Sequence, residues 1–248
     1  MHFASRVFQQ PVKKLSMELG GNAPFLIFED ADLELTVQNA LASKYRNAGQ
    51  TCICVNRFYA HDSIYDRFVD LLSKEVGELK VGNGLDAGIT QGPLIDQKAL
   101  KKVALHVKDA KSKGGRIVIG GKRHALGKLF FEPTVIADAS NDMLCACEET
   151  FGPVAPVFRF TSEEEVVRLA NNTPFGLAAY VFTRDLGRAW RVSEALEYGL
   201  VGVNESIIST CEAPFGGVKE SGFGREGSHY GIDDYTVLKY TCMAGLGK

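Results

Sequence analysis

Apolar and polar positions along the chain follow two alternating periods. Residues 25–28 form an uninterrupted apolar run, short enough for a strand buried on both faces. Asp32 then stands where a helix N-cap belongs, and Leu33, Val37, Ala40, Leu41 and Tyr45 follow at helical spacing, with Gly49 as the predicted stop. The pairing repeats. A strand at 57–60 precedes a helix carrying Ile64, Phe68, Leu71, Leu72 and Val76, after which Gly82-Asn83-Gly84 breaks the chain. Asp96 is placed to cap a helix bearing Leu100, Val103, Ala104, Val107 and Ala110, which passes through Gly114-Gly115 into a strand at 116–119. Strands are also predicted at 154–160, 178–182 and 200–203, and Ser162-Glu163-Glu164-Glu165 has the form of a capping box.

Strand alternating with helix implies an α/β fold: a three-layer domain with a parallel sheet covered by helices on both faces. No repeat or low-complexity linker interrupts 25–203, so these residues are expected to form one domain. The tail differs. Residues 214–227 contain five glycines, and 235–242 reads as a last strand with no partner nearby. Such a strand needs an edge to pair with, which a second subunit can supply.

Composition narrows the function. The chain has 248 residues, 45% hydrophobic and 23% charged, with a net charge of −2 and its signs interspersed. That is ordinary globular composition, with no basic stripe for nucleic acid and no polybasic segment for a membrane. No apolar run reaches the roughly 18 residues of a spanning helix. Residues 1–12 read as an uninformative leader: His2 and Arg6 without an acid in the first ten residues are too little for a transit peptide. Six cysteines without a secretion signal point to a reducing compartment rather than a disulfide scaffold.

The chemistry concentrates at two places. Cys52, in Gly49-Gln50-Thr51-Cys52, follows a helix stop, so its thiol is expected at a chain reversal where backbone N–H groups can face a developing oxyanion. Glu18, in Glu18-Leu19-Gly20-Gly21, precedes an apolar strand where partial burial raises a carboxyl toward the range of a useful base. A thiol that attacks a carbonyl carbon and a carboxylate that activates water together suggest covalent chemistry on an aldehyde or acyl group.

Two further patterns are decoys. Gly222-Phe223-Gly224-Arg225-Glu226-Gly227 satisfies G-x-G-x-x-G but follows a loop and precedes no βαβ unit, so it is assigned no phosphate role. Cys52-x-Cys54 and Cys145-x-Cys147 have one-residue gaps where structural zinc wants two to four, so no metal is expected. Cys54 is instead a candidate redox partner of Cys52, in a strained, reducible disulfide.

These residues resemble the aldehyde dehydrogenase family. Glu18-Leu19-Gly20-Gly21-Asn22 is similar to its general-base motif and Gly49-Gln50-Thr51-Cys52 to its nucleophile motif. Glu148-Glu149-Thr150-Phe151-Gly152-Pro153 is similar to the segment whose second glutamate binds the nicotinamide ribose and whose phenylalanine lies against the nicotinamide ring. Pro214-Phe215-Gly216-Gly217-Val218-Lys219 with Ser221-Gly222 resembles its C-terminal signature. The resemblance runs from about Lys13 to Gly245. It implies that Cys52 adds to an aldehyde, that hydride passes to NAD or NADP, and that Glu18 directs water at the resulting thioester. The Cys52 N–H would supply half of the oxyanion hole, with Glu149 and Phe151 binding the cofactor.

Within the family, Tyr45-Arg46-Asn47, Thr90-Gln91-Gly92-Pro93-Leu94-Ile95 and Gly224-Arg225-Glu226-Gly227 are most similar to the succinate-semialdehyde dehydrogenases. Arg46, near a helix end, then becomes the candidate for holding the distal carboxylate, against the alternative of a surface salt bridge. Ser209, or Thr210 beside it, resembles the second carboxylate contact. Members of this group are cytoplasmic in bacteria and commonly reside in the mitochondrial matrix in eukaryotes.

Only 17 residues precede Glu18, whereas the family's cofactor-binding domain and its oxyanion asparagine precede that motif. The resemblance therefore implies a catalytic half: 13–30 as the remnant of the end of the cofactor-binding domain, 13–213 as the catalytic domain, and 214–248 as tail and oligomerisation strand. By itself such a chain is expected to bind cofactor weakly. A cofactor-free thiol esterase, and an inactive form that associates with intact subunits of a homo-oligomer, are the alternative readings.

Overall fold

The computed structural model describes residues 14–247, so the leader at 1–12 lies outside it. The parallel sheet predicted from the alternation is present. Its strands are β2 (Ala23–Ile27), β3 (Val55–His61), β4 (Arg116–Ile119), β5 (Thr134–Ala137), β6 (Val154–Phe160), β8 (Ala178–Phe182) and β9 (Leu200–Val203), in the order β4-β5-β6-β3-β2-β8-β9. All neighbours are parallel except the edge pair β4–β5. β2 is an interior strand, paired with β3 on one side and β8 on the other.

Side chains of β2 alternate between two cores, as the pleat requires. Phe25 and Ile27 face one layer, formed by α1 (Leu33–Lys44) and α2 (Tyr65–Gly77) through Val37, Ala40, Phe68 and Leu72. Leu26 and Phe28 face the other, with α5 (Glu163–Asn171) and α6 (Leu186–Ala195) contributing Val166, Ala170, Val192 and Leu196. A third cluster lies under α3 (Gln97–Ser112), where Leu100, Val103 and Val107 meet Ile136 and Val154. The expected caps form: Asp32 accepts from the Leu35 N–H at 3.2 Å, Asp96 from Ala99 at 2.7 Å and Ser162 from Glu165 at 3.2 Å. The Glu165 carboxylate reaches back to the Thr161 N–H, one residue earlier than the box predicts.

Four differences from the sequence reading have physical causes. Helix α1 ends at Lys44 rather than at Gly49, because Asn47, Ala48 and Gly49 have φ of 50°, 53° and 76° and wind the chain the opposite way. Strand β5 and helix α6 are additional elements. The first is a four-residue strand, and the second buries only Ala189 and Val192 while leaving Leu186 and Trp190 exposed, so neither has a strong pattern. Residues 235–242 form no strand among the described residues, since no edge within the chain lies alongside them. The glycine-rich tail instead builds two short ladders, β1 (Met17–Glu18) with β11 (Gly222–Phe223) and β7 (Phe175–Gly176) with β10 (Val218–Lys219).

Candidate active site

Segments 18–22, 49–54, 148–153 and 175–177 each lead into a strand of the sheet and therefore meet at the rim of its amino ends. Glycines allow them to touch. A Cβ on Gly21 would lie 2.5 Å from the Cys52 carbonyl oxygen, and one on Gly49 would strike the Gly152 carbonyl. The Gly21 N–H donates to Glu149 Oε1 at 2.9 Å. Ser221 ties in the tail: its hydroxyl donates to the Gly20 carbonyl at 2.7 Å and accepts from Gly176 N–H at 2.9 Å. All four sequence motifs thus converge, including Ser221-Gly222, whose glycine pairs with Glu18 across the β1–β11 ladder.

Cys52 sits half-buried just after the left-handed turn. Burial, then the charge of Glu18, pushes its thiol up, and Glu149 adds to that rise. The N–H groups of Cys52 and Ile53 face the sulfur and oppose the shift. Among the described residues the Cys52 N–H makes no backbone hydrogen bond, which leaves it available to an oxyanion. Glu18 is also half-buried, and its Oε2 is buried without a hydrogen-bond partner among the described residues. Burial, then Glu226, raises its carboxyl above the ordinary range, while Arg225 counters. The charge of Glu18 thus reaches the Cys52 thiol and favours its protonated form.

Glu149 is raised chiefly by burial, against the Gly21 N–H, Lys102 and Lys44. Phe151 has φ of 55° and lines a cavity of about 500 Å³ with Asn47, Gln50 and Pro93. An anchored carboxylate beside an outward-facing ring suits a ribose hydroxyl pair and a flat heteroaromatic ring, so this part of the site fits a nicotinamide nucleoside.

Ser209 lies in a different hollow, of about 280 Å³, with Thr210, Phe215 and Glu226. Because Glu226 also acts on Glu18, this hollow opens near the general-base candidate. The Thr210 hydroxyl is occupied by Glu212, which leaves Ser209 as the less engaged of the two. Arg46 is exposed and makes no ion pair among the described residues, contrary to the salt-bridge alternative. It stands at the start of the left-handed turn and lies near Cys54. Cys54 itself is buried, and its thiol donates to the Ser43 carbonyl at 2.8 Å. Both Cys52 and Cys54 are free thiols. No group of three or more His, Cys, Asp or Glu gathers as a metal site among the described residues.

Sequence reasoning missed two supports of the site. Arg57 is fully buried and donates to the Asn22 carbonyl at 2.9 Å, to Ala170 O at 2.9 Å and to the Tyr198 hydroxyl at 3.0 Å, fixing the end of the Glu18 segment. Lys44 is fully buried on α1. Its position was legible, since Val37, Ala40 and Lys44 share one helical face.

The chain matches the model of the aldehyde dehydrogenase family over residues 1–241. It is 59% identical over 239 residues to 3-sulfolactaldehyde dehydrogenase of Pseudomonas putida, covering 96% of this chain and 49% of that protein. It is 57% identical over 235 residues to succinate semialdehyde dehydrogenase of Acinetobacter baylyi, covering 95% and 49%. The crystal structure of succinate-semialdehyde dehydrogenase from Burkholderia pseudomallei superposes with a TM-score of 0.93 at 63% identity, over 94% of this chain and 48% of that one. The chain spans about half the length of the curated relatives it matches.

Proposed function

The chain belongs to the aldehyde dehydrogenase family, and from that premise we propose that it carries the acyl-transfer half of an enzyme oxidising an aldehyde with an anionic far end, succinate semialdehyde first. The observation that carries this reading is the meeting of Cys52, Glu18 and Glu149 around Gly21, with an unengaged N–H at the nucleophile.

In this reading the Cys52 thiol gives its proton to solvent water as its sulfur bonds to the aldehyde carbon, giving a thiohemiacetal whose oxyanion faces the Cys52 N–H. Glu149 and Phe151 are the residues here that would hold the nicotinamide end of NAD or NADP, whose chemistry when bound is to accept hydride. Glu18, whose carboxyl burial raises above its ordinary range and so makes a stronger base, then takes a proton from the water that attacks the Cys52 thioester. Acid product leaves and the thiol is restored. Arg46 and Ser209 would bind the distal anion. A guanidinium accepts carboxylate or sulfonate, which agrees with the substrates named for the two relatives. A Cys52–Cys54 disulfide would silence the nucleophile, but it first requires release of the Cys54 thiol from Ser43.

The test needs no cofactor for its first arm. Succinate semialdehyde labelled with ¹³C at the aldehyde should give a thiohemiacetal carbon signal with the parent chain and none with Cys52→Ser. Absence of that signal from both would refute the reading. The second arm follows cofactor reduction and searches for acylated Cys52 by mass spectrometry.

Exposed apolar side chains favour an association role as well. Tyr235, Val237, Leu238 and Tyr240 stand out in solvent, with Leu238 at 106% of its reference area. Such a segment is suited to add as an edge strand to another subunit of a homo-oligomer. Light scattering should report an oligomer that shortens to monomer when 235–248 is removed; a monomer in both cases refutes this.

A further inference from the structure

His106 is a buried titratable group that the reaction above does not use. It lies on α3 with no exposed surface, and Asp109 stands three residues further along the same helical face. Both side chains reach the segment that leads into β6. Asp109 accepts from the Leu144 N–H at 2.7 Å, where α4 (Leu144–Cys147) begins. The His106 ring meets the loop after α4 on either side of Glu149: its Nδ1 lies 3.1 Å from the Thr150 hydroxyl, and its Nε2 lies 3.4 Å from Glu148 Oε2. Nε2 has no closer polar partner among the described residues. Thr150 is held a second time, because its N–H donates to the buried Asn56 side chain at 3.0 Å.

These contacts select one form of the ring. A carboxylate can only accept, so the nitrogen that faces Glu148 is the one that carries hydrogen. Nδ1 then presents a lone pair, and the Thr150 hydroxyl donates to it. A doubly protonated ring would place a charge in the interior. Burial, then Lys102 one turn earlier on α3, pushes the imidazole below its ordinary range, while Glu148 and Asp109 oppose this.

We propose that His106 is a positioning residue for Glu149: as the neutral Nε2–H tautomer it braces the residues on both sides of that glutamate, so that the carboxylate stays seated on the Gly21 N–H. The seat itself is the 2.9 Å bond from Gly21 to Glu149 Oε1. A loop residue whose two neighbours are both tied to a helix has little freedom to turn its side chain away, and the ordering is complete before any ligand arrives. The inference deepens the cofactor-side reading of Glu149 and rests on it.

The first test is long-range ¹H–¹⁵N NMR of the imidazoles in the 248-residue chain at pH 7, with His106 assigned through its backbone amide. Hydrogen on Nε2 and none on Nδ1 is expected; a protonated Nδ1 overturns the proposal. The second is amide exchange, which reads the seat of Glu149 directly. In His106→Leu, and in Thr150→Val, which removes the hydroxyl at nearly constant volume, the Gly21 amide should exchange about tenfold faster or more. Thr150→Ser keeps the hydroxyl and should match the parent, and the Val107 amide on α3 should hold its rate throughout. An unmoved Gly21 amide overturns the proposal, and so does equal acceleration of Gly21 and Val107, which marks general loosening. Should His106→Leu not fold, the two Thr150 variants decide. All of these are read without cofactor. Faster Gly21 exchange in the variants, together with NAD and NADP binding unaltered by Glu149→Gln in saturation-transfer NMR, would therefore uphold the brace and refute the ribose assignment.

Discussion

At the carboxyl ends of the strands, Asp30 after β2 accepts from the Thr183 hydroxyl at 2.8 Å, from the Arg184 and Asp185 N–H groups at 2.8 and 2.9 Å, and from Arg188 at 2.9 Å. At the amino ends, Glu18 Oε2 and Lys44 Nζ are buried without a hydrogen-bond partner among the described residues. The charges answer accordingly. Burial pushes the Asp30 carboxyl up, but the Thr183 hydroxyl, the Arg184 N–H and Arg188 together hold it below its ordinary range. At the opposite rim Glu18, Glu149 and Cys52 are all raised, burial first, and Lys44 is lowered by the same cause. One rim has its charges paired, and at the other burial pushes them toward their neutral forms.

This reverses the usual geography. Open parallel sheets commonly bind ligands at the carboxyl ends of their strands. Here a hollow of about 390 Å³ at that end is lined by Glu29, Asp32, Arg67 and Arg184, with Asp32 and Arg184 paired at 2.8 Å and no nucleophile present. The candidate reactive groups lie at the other rim because the segments entering β2, β3 and β6 are the ones that glycines bring together.

The sharpest break between the rims is Glu18→Gln. Turnover, measured in an assembly that binds cofactor, should fall by about 10²–10⁴-fold. Alkylation of Cys52 at pH 8 should meanwhile accelerate by about two- to tenfold, because the carboxylate that raises the thiol is gone. Slower alkylation would mean that Glu18 does not face the sulfur. Next in size is Gly49→Ala, which puts a side chain at φ of 76° against Gly152. A loss of about 3 kcal/mol in urea unfolding is expected.

Asp30→Asn should cost about 1–2 kcal/mol and leave Cys52 alkylation unchanged, which separates the rims directly. Its pH signature has a definite sign. A carboxyl held low in the folded state stabilises above the ordinary carboxylate range, and that contribution is lost as pH falls through its lowered value. The variant's acid limb below about pH 4 should therefore be flatter than the parent's. The smallest effect is Arg159→Ala at the carboxyl rim, about 1 kcal/mol by thermal unfolding. Its pairs with Asp62 and Asp66 are exposed, and its guanidinium lies 3.6 Å from the Tyr65 ring centroid.

Much of the fold was legible because the strongest signals were local. Asp32, Asp96 and Ser162 cap helices in the chain as they do in the pattern, and the apolar run at 25–28 became the strand buried on both faces. Thr134–Ala137 and Leu186–Ala195 were not legible. A four-residue strand gives no period, and α6 presents too narrow an apolar stripe. Residues 235–242 have the composition of a strand, yet pairing is a property of two stretches of backbone, and no edge among the described residues receives them.

For the site, the sequence by itself determined which groups could react: a thiol after a helix stop, a carboxylate before two glycines, and a second carboxylate beside a phenylalanine. Side-chain chemistry and the backbone freedom of glycine are fixed by residue type. Tertiary structure alone decided that these segments touch, and that Asp30 is paired while Glu18 Oε2 has no partner among the described residues. Burial and Coulomb interaction depend on distances between residues far apart in the chain, and only the folded sheet sets those distances.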